Sequence, residues 1–195
     1  CLKRAGLKEF QLSIGHADFF RGLMEAAGLF EEQEEELRGL ISNKNYFGVD
    51  EFVETLNLNE NLKKLFHMLG TLYTDACGLK EVKEYAAAYP RIAEAINRLE
   101  ELYEVLKVYQ AERYVSFELG VISDYQYYTE IIFAGYTFGS GEPIVKGGRY
   151  DRLLTYFGKN SSSIGFAFVV DQLLAALSRQ KIEIPLAYEN ELIVY

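Results

Sequence analysis

An α+β fold is predicted, an antiparallel sheet flanked by helices and carrying a helical insertion. Three observations predict it. The composition changes near residue 112, from segments of helical pattern to segments rich in Tyr, Phe, Ile, Val and Gly. The later strands follow one another closely through tight turns, as antiparallel neighbours do. A further strand pattern opens the chain before the helices begin.

Residues 10–15 alternate apolar and polar, as a half-buried strand should. A short helix over 19–24 follows, closed by Gly28. Residues 31–41 are acidic on one side, with Leu37, Leu40 and Ile41 on the other. Helical segments are predicted at 49–56, 60–74 and 79–88. Pro90 then suits the first turn of a long helix reaching residue 110, with Ile92, Ile96, Leu99, Leu102, Val105 and Leu106 at helical spacing. Strands are predicted at 114–119, 127–136, 143–146 and 163–170, with Gly139-Ser140-Gly141 as the turn between the second and third. Asp171 is placed to cap a final helix over 172–179, with Leu173, Leu174 and Leu177 facing inward.

The 195 residues are 49% hydrophobic and 25% charged, the composition of a globular chain with a real core. Twenty basic against 29 acidic residues leave a net charge of −9. That balance opposes non-specific binding to nucleic acid or anionic membranes, which needs a basic face, but permits a local basic pocket. Cys1 and Cys77 cannot form a disulfide scaffold, so a reduced, cytoplasmic setting is expected. The cysteines and the two histidines, His16 and His67, have no metal-site spacing and read as structural or ordinary groups. No apolar run approaches the ~20 residues of a membrane span. The chain starts without Met and ends on Glu191-Leu192-Ile193-Val194-Tyr195. A piece of a longer protein is therefore expected, with 181–195 as a linker and the start of a truncated segment.

Three segments could carry chemistry. The first is Tyr125-Gln126-Tyr127-Tyr128-Thr129-Glu130. As a strand, it sets Tyr127 and Thr129 on one face, Gln126, Tyr128 and Glu130 on the other. Tyr hydroxyls, Gln and Glu can hold a small polar ligand with an amine and a ring nitrogen; Tyr is also simply a good strand former. The second is Lys146-Gly147-Gly148-Arg149-Tyr150-Asp151, where paired glycines at a strand end allow close approach. Arg149 at the turn would either pair with a ligand carboxylate or make an internal pair with Asp151. This is no phosphate loop, since the glycine spacing and Lys-Ser/Thr ending are absent. The third, residues 163–174, reads as buried strand, cap and buried helix.

In order and spacing, Gln126-Tyr127-Tyr128-Thr129, Gly147-Gly148-Arg149-Tyr150-Asp151 and Ile164-Gly165-Phe166-Ala167-Phe168 before a Leu-rich helix resemble the second half of the histidyl-tRNA synthetase catalytic domain. The opening residues 6–16 resemble the strand after that family's second motif, and 164–168 the third motif of class II synthetases. The resemblance implies a class II aminoacyl-tRNA synthetase-like sheet. Residues 1–29 and 91–180 would form its core and 30–90 its helical insertion. It also implies Tyr127 and Tyr128, with Gln126 and Tyr150, as histidine contacts, no metal and no cofactor.

Two departures bear on function. Where active members carry Arg before the tyrosine pair, this chain has Ser123; where they carry Arg after the acidic residue of the last helix, Gln172 follows Asp171. Both arginines offset negative charge in adenylation, and losing one such donor costs about 3 kcal/mol of transition-state stabilisation. Neutral Ser and Gln cannot replace them. The wording of 136–144 and 168–177 resembles a non-catalytic branch of the family, the regulatory subunits of ATP phosphoribosyltransferase. That resemblance implies a homodimer within a hetero-oligomer with the short-form catalytic subunit, histidine as effector, and no membrane or nucleic-acid partner. The alternatives are an active synthetase, and an assembly module in which Tyr127 and Tyr128 pack into a core beside no open pocket.

Overall fold

The computed structural model describes residues 1–122 and 127–183. β1 (Phe10–His16) runs directly into α1 (Ala17–Ala27). His16 makes the junction: its backbone is extended and its Nδ1 accepts a hydrogen bond from the Asp18 amide at 3.2 Å. Gly28 ends α1 in the left-handed conformation, which costs a glycine little. Then come α2 (Glu31–Ser42), α3 (Tyr46–Glu54), α4 (Glu60–His67), β2 (Leu72–Tyr73), α5 (Ala76–Ala86) and α6 (Pro90–Val108). The second part supplies β3 (Val115–Glu118), β4 (Ile131–Thr137), β5 (Val145–Tyr150), β6 (Ser163–Phe168) and α7 (Val170–Arg179).

The strands form one sheet in the order β2-β3-β1-β4-β5-β6. The expected antiparallel arrangement holds for every pair except β1 and β3, which run parallel. A parallel pair needs a long crossover, and helices α1 to α6 provide it. The sheet is therefore mixed.

Period-two alternation gives the sheet an inner face carrying Leu12, Ile14, Phe117 and Phe133. The helices cover it. Phe19 and Leu23 of α1, Leu37 and Ile41 of α2, Leu65 and Phe66 of α4, and Ile96 and Leu99 of α6 join Ile14 and Phe117 in one buried cluster. Residues 30–90 thus pack into the same core as the sheet and lend it β2. A second cluster, Leu2, Leu7, Ile144, Val145 and Leu177, seats α7 and the first residues on the other half of that face.

Several expectations need correction. The helix read over 60–74 stops at His67, because Leu72 and Tyr73 leave it to pair with Glu118 and Phe117. The strand read from 127 begins at Ile131, since β1 turns into α1 after His16, whose partner is Ile131. Gly147 to Tyr150 lie within β5 rather than in a turn. Val169, not Asp171, occupies the cap position of α7, and Leu174 is exposed while Leu177 is buried. Cys1 and Cys77 are exposed free thiols. Among the described residues no helix is long and apolar enough to cross a membrane.

The shared core predicts cooperative unfolding. Leu65→Ala should cost about 2–5 kcal/mol in urea, with helical and tyrosine signals lost in one transition. Two transitions, only one of them shifted, would mean that residues 30–90 fold apart from the sheet. His16 predicts a pH dependence. Burial, opposed by Asp18 and reinforced by Arg98 and Arg21, holds its pKa at about 4 instead of 6.5. The unfolded chain takes up this proton first, so the stabilisation is complete above pH 6.5 and is lost as pH falls through 4. The loss amounts to about 3 kcal/mol. Unfolding free energies measured from pH 7 to 4 should therefore fall more steeply in the native chain than in His16→Gln; parallel slopes would refute this.

Candidate functional site

The other face of the sheet is polar and open. β1 gives it Gln11 and Ser13, β3 gives Ser116 and Glu118, β4 gives Ala134 and Tyr136, and β5 gives Lys146 and Tyr150. Strand alternation alone separates these side chains from the apolar ones between them.

One row across this face is nearly bare. Gly15 pairs with Ile132, Ile132 with Gly148 and Gly148 with Gly165, so three of four residues at one level of β1, β4, β5 and β6 are glycine. The rings above explain the space. A Cβ on Gly148 would lie 2.6 Å from the Tyr128 ring, and one on Gly165 2.7 Å from the Tyr150 hydroxyl. Tyr128 and Tyr150 therefore lie on the sheet where side chains would otherwise stand. Tyr127 completes the group, its ring centroid 4.5 Å from that of Tyr128 and 5.7 Å from that of Tyr150, the latter edge-on. Tyr128 is only 8% exposed and Tyr127 36%.

The segment carrying the tyrosine pair is fixed without being a strand. The Thr129 amide donates to the Arg149 carbonyl at 2.9 Å, and the Thr129 hydroxyl donates to Asp151 at 3.1 Å. From α1, Arg21 donates to the Tyr128 carbonyl at 2.9 Å, and the Ala17 amide to the Glu130 carbonyl at 2.8 Å. Arg149 lies 3.1 Å from both Glu130 and Asp151. The internal pairing read for Arg149 is the one formed, and it reaches both carboxylates. Against the cost of burial, hydrogen bonds from Arg149, Ser162 and Thr129 hold the Asp151 carboxyl below its ordinary range.

Glu118 organises the rest of the open face. Ser13 donates to it at 2.6 Å, Lys44 pairs with it at 3.2 Å, and the Tyr46 hydroxyl lies 3.5 Å away. Burial and the Glu118 charge push the Tyr46 hydroxyl up to about 12, so it stays protonated as a donor. Two clefts meet at Lys44, Glu118 and Tyr136. One, of about 540 Å³, runs past Tyr128, Ile132, Ala134 and Lys146. The other, of about 410 Å³, lies over Gln11, Ser13 and Ser116. An open cleft beside Tyr128 counts against a purely packed tyrosine pair.

The structure thus brings together Tyr127, Tyr128 and Tyr150, all singled out in the sequence. Gln126 and Ser123 lie outside the described residues, as does the terminal segment 192–195. Gln172 sits half-buried in α7. His67, read as having no partner, pairs with Asp50 through Nδ1. Sequence reasoning missed Glu118, Lys44 and Tyr46, and gave Lys146 no role beyond opening the second segment. Alternation in 10–15 marked Ser13 as outward, but nothing local showed which distant residues share its face.

Gly148→Ala should cost about 1–3 kcal/mol and dislodge the Tyr128 ring, read by denaturant unfolding and by the near-ultraviolet tyrosine signal. Unchanged stability together with an unchanged signal would show that the ring does not rest there.

Comparisons with known proteins agree on the family. A family model described as histidyl-tRNA synthetase matches residues 1–173. The ATP phosphoribosyltransferase regulatory subunit of Acetivibrio thermocellus is 39% identical, the match covering 100% of this chain and 46% of the relative. That of Oceanobacillus iheyensis is 33% identical, covering 91% and 44%. The crystal structure of an ATP phosphoribosyltransferase regulatory subunit/histidyl-tRNA synthetase from Bacillus halodurans superposes with a TM-score of 0.79 at 36% identity, covering 90% and 46%. The chain spans about half the length of these relatives. By family model, whole-chain identity and fold together, it belongs to the histidyl-tRNA synthetase family and is similar there to members named ATP phosphoribosyltransferase regulatory subunits.

Proposed function

We propose that this chain is part of a non-catalytic regulatory subunit of ATP phosphoribosyltransferase. In this reading it supports the first step of histidine biosynthesis and its feedback control by histidine. The observation that carries the reading is an open cleft beside Tyr128 on a synthetase-like sheet, in a chain 39% identical to a relative of that name. The neutral Ser123 and Gln172 point the same way: a cleft without those two cations is poorly suited to stabilising an adenylating transition state, yet can still bind an amino acid. Tyr127 and Tyr128 are its first candidate histidine contacts, and Gln126 and Tyr150 the further candidates.

The partner is the short-form catalytic subunit, met by a homodimer of the regulatory chain within a hetero-oligomer. Histidine then acts by binding one quaternary state better than another, a coupling of about 1–3 kcal/mol.

The test mixes the full-length protein with a short-form catalytic subunit that is inactive alone. Phosphoribosyl transfer from phosphoribosyl pyrophosphate to ATP should appear on mixing and fall on adding histidine. No activity, or activity indifferent to histidine, would refute the reading. Histidine-dependent pyrophosphate exchange by the full-length protein alone would establish the synthetase alternative instead.

A further inference from the structure

The geometry points to Lys146 as the cation that receives the carboxylate of the amino acid in the larger cleft. This rests on the sensor reading above and assigns a residue to it. Lys146 precedes Gly148 by two positions on β5, so it shares the face on which the Tyr128 ring lies, about 7 Å along the strand. Both residues line the same cleft. At its level the neighbouring strands carry Ala134 and Ala167, so no bulky side chain flanks it.

Of the two acidic residues lining the cleft, Glu118 and Glu142, the first is already committed. Glu118 is held by Lys44, Ser13 and Tyr46. Glu142 lines the cleft but forms no ion pair with Lys146. Among the described residues Lys146 has no ion-pair partner, while the other lysine of the cleft, Lys44, is paired with Glu118. A cation without a fixed counter-charge, beside an aromatic ring, fits a zwitterion that presents a ring and a carboxylate together. A charge-assisted hydrogen bond from the ammonium would fix that carboxylate. The position matters because Ser123, where active members carry an arginine, supplies no charge for a carboxylate.

The experiment compares two ligands by calorimetry on the full-length protein: L-histidine, and histamine, which keeps the ring and amine but lacks the carboxylate. The native protein should bind histidine more tightly than histamine. Lys146→Met should weaken histidine by about tenfold or more and leave histamine unchanged, whereas Lys146→Arg should retain most of the histidine affinity. Unchanged histidine binding in Lys146→Met, with the native protein still preferring histidine, overturns the assignment and leaves the sensor reading standing. Equal weakening of both ligands overturns it too, because the effect is then not on the carboxylate. If the native protein binds neither ligand, the sensor reading itself fails and the assignment falls with it.

Discussion

The site depends on the absence of side chains along one row of the sheet. Gly148 and Gly165 leave a furrow on β5 and β6, while Gly15 at the same level of β1 is covered by the Glu118 carbonyl and Val121. Aromatic rings need a flat bed to lie on a sheet, and a β-carbon at Gly148 or Gly165 would stand in that bed. The furrow sets how low Tyr128 sits and leaves a cleft open beside it. The glycines of two separated sequence motifs therefore serve one purpose, to receive tyrosines that come from elsewhere in the chain.

A second constraint keeps the tyrosine pair in place although it lies beyond the end of β4. Residues 127–130 have lost β1 as a neighbour, because β1 has become α1. The lost pairing is replaced by Arg21 and Ala17 from α1, by the Arg149 carbonyl, and by ion pairs of Arg149 with Glu130 and Asp151. Arg98 of α6 also approaches Glu130, at 3.5 Å, which ties the helical layer to the same segment. A loop with this many partners holds its side chains as a strand would, and a ligand meeting it finds a prearranged surface.

The electrostatics of the open face follow from its geometry more than from the net charge of −9. Glu118 is largely shielded and draws Lys44, Ser13 and Tyr46 around it, so its charge is balanced locally. Lys146 stands apart from that cluster, on small neighbours, and gives an acidic chain a local positive point in its cleft.

Much of this was legible in the residues themselves. Helical and two-residue periodicities are local properties, so most elements, the change of texture near residue 112 and the three segments that come together could be read directly. The tyrosines at 127, 128 and 150 and the paired glycines were visible as chemistry. Their relation was not, because the fit of the Tyr128 ring on Gly148 is a contact between a loop and a strand that no local pattern encodes. The same reason hid the parallel pairing of β1 with β3, the strand at Leu72–Tyr73, and the meeting of Ser13, Lys44, Tyr46 and Glu118. The sequence by itself determined which residues alternate and which faces are apolar; only the tertiary structure decided which faces meet, since pairing over long separations is selected by the packing of the whole core.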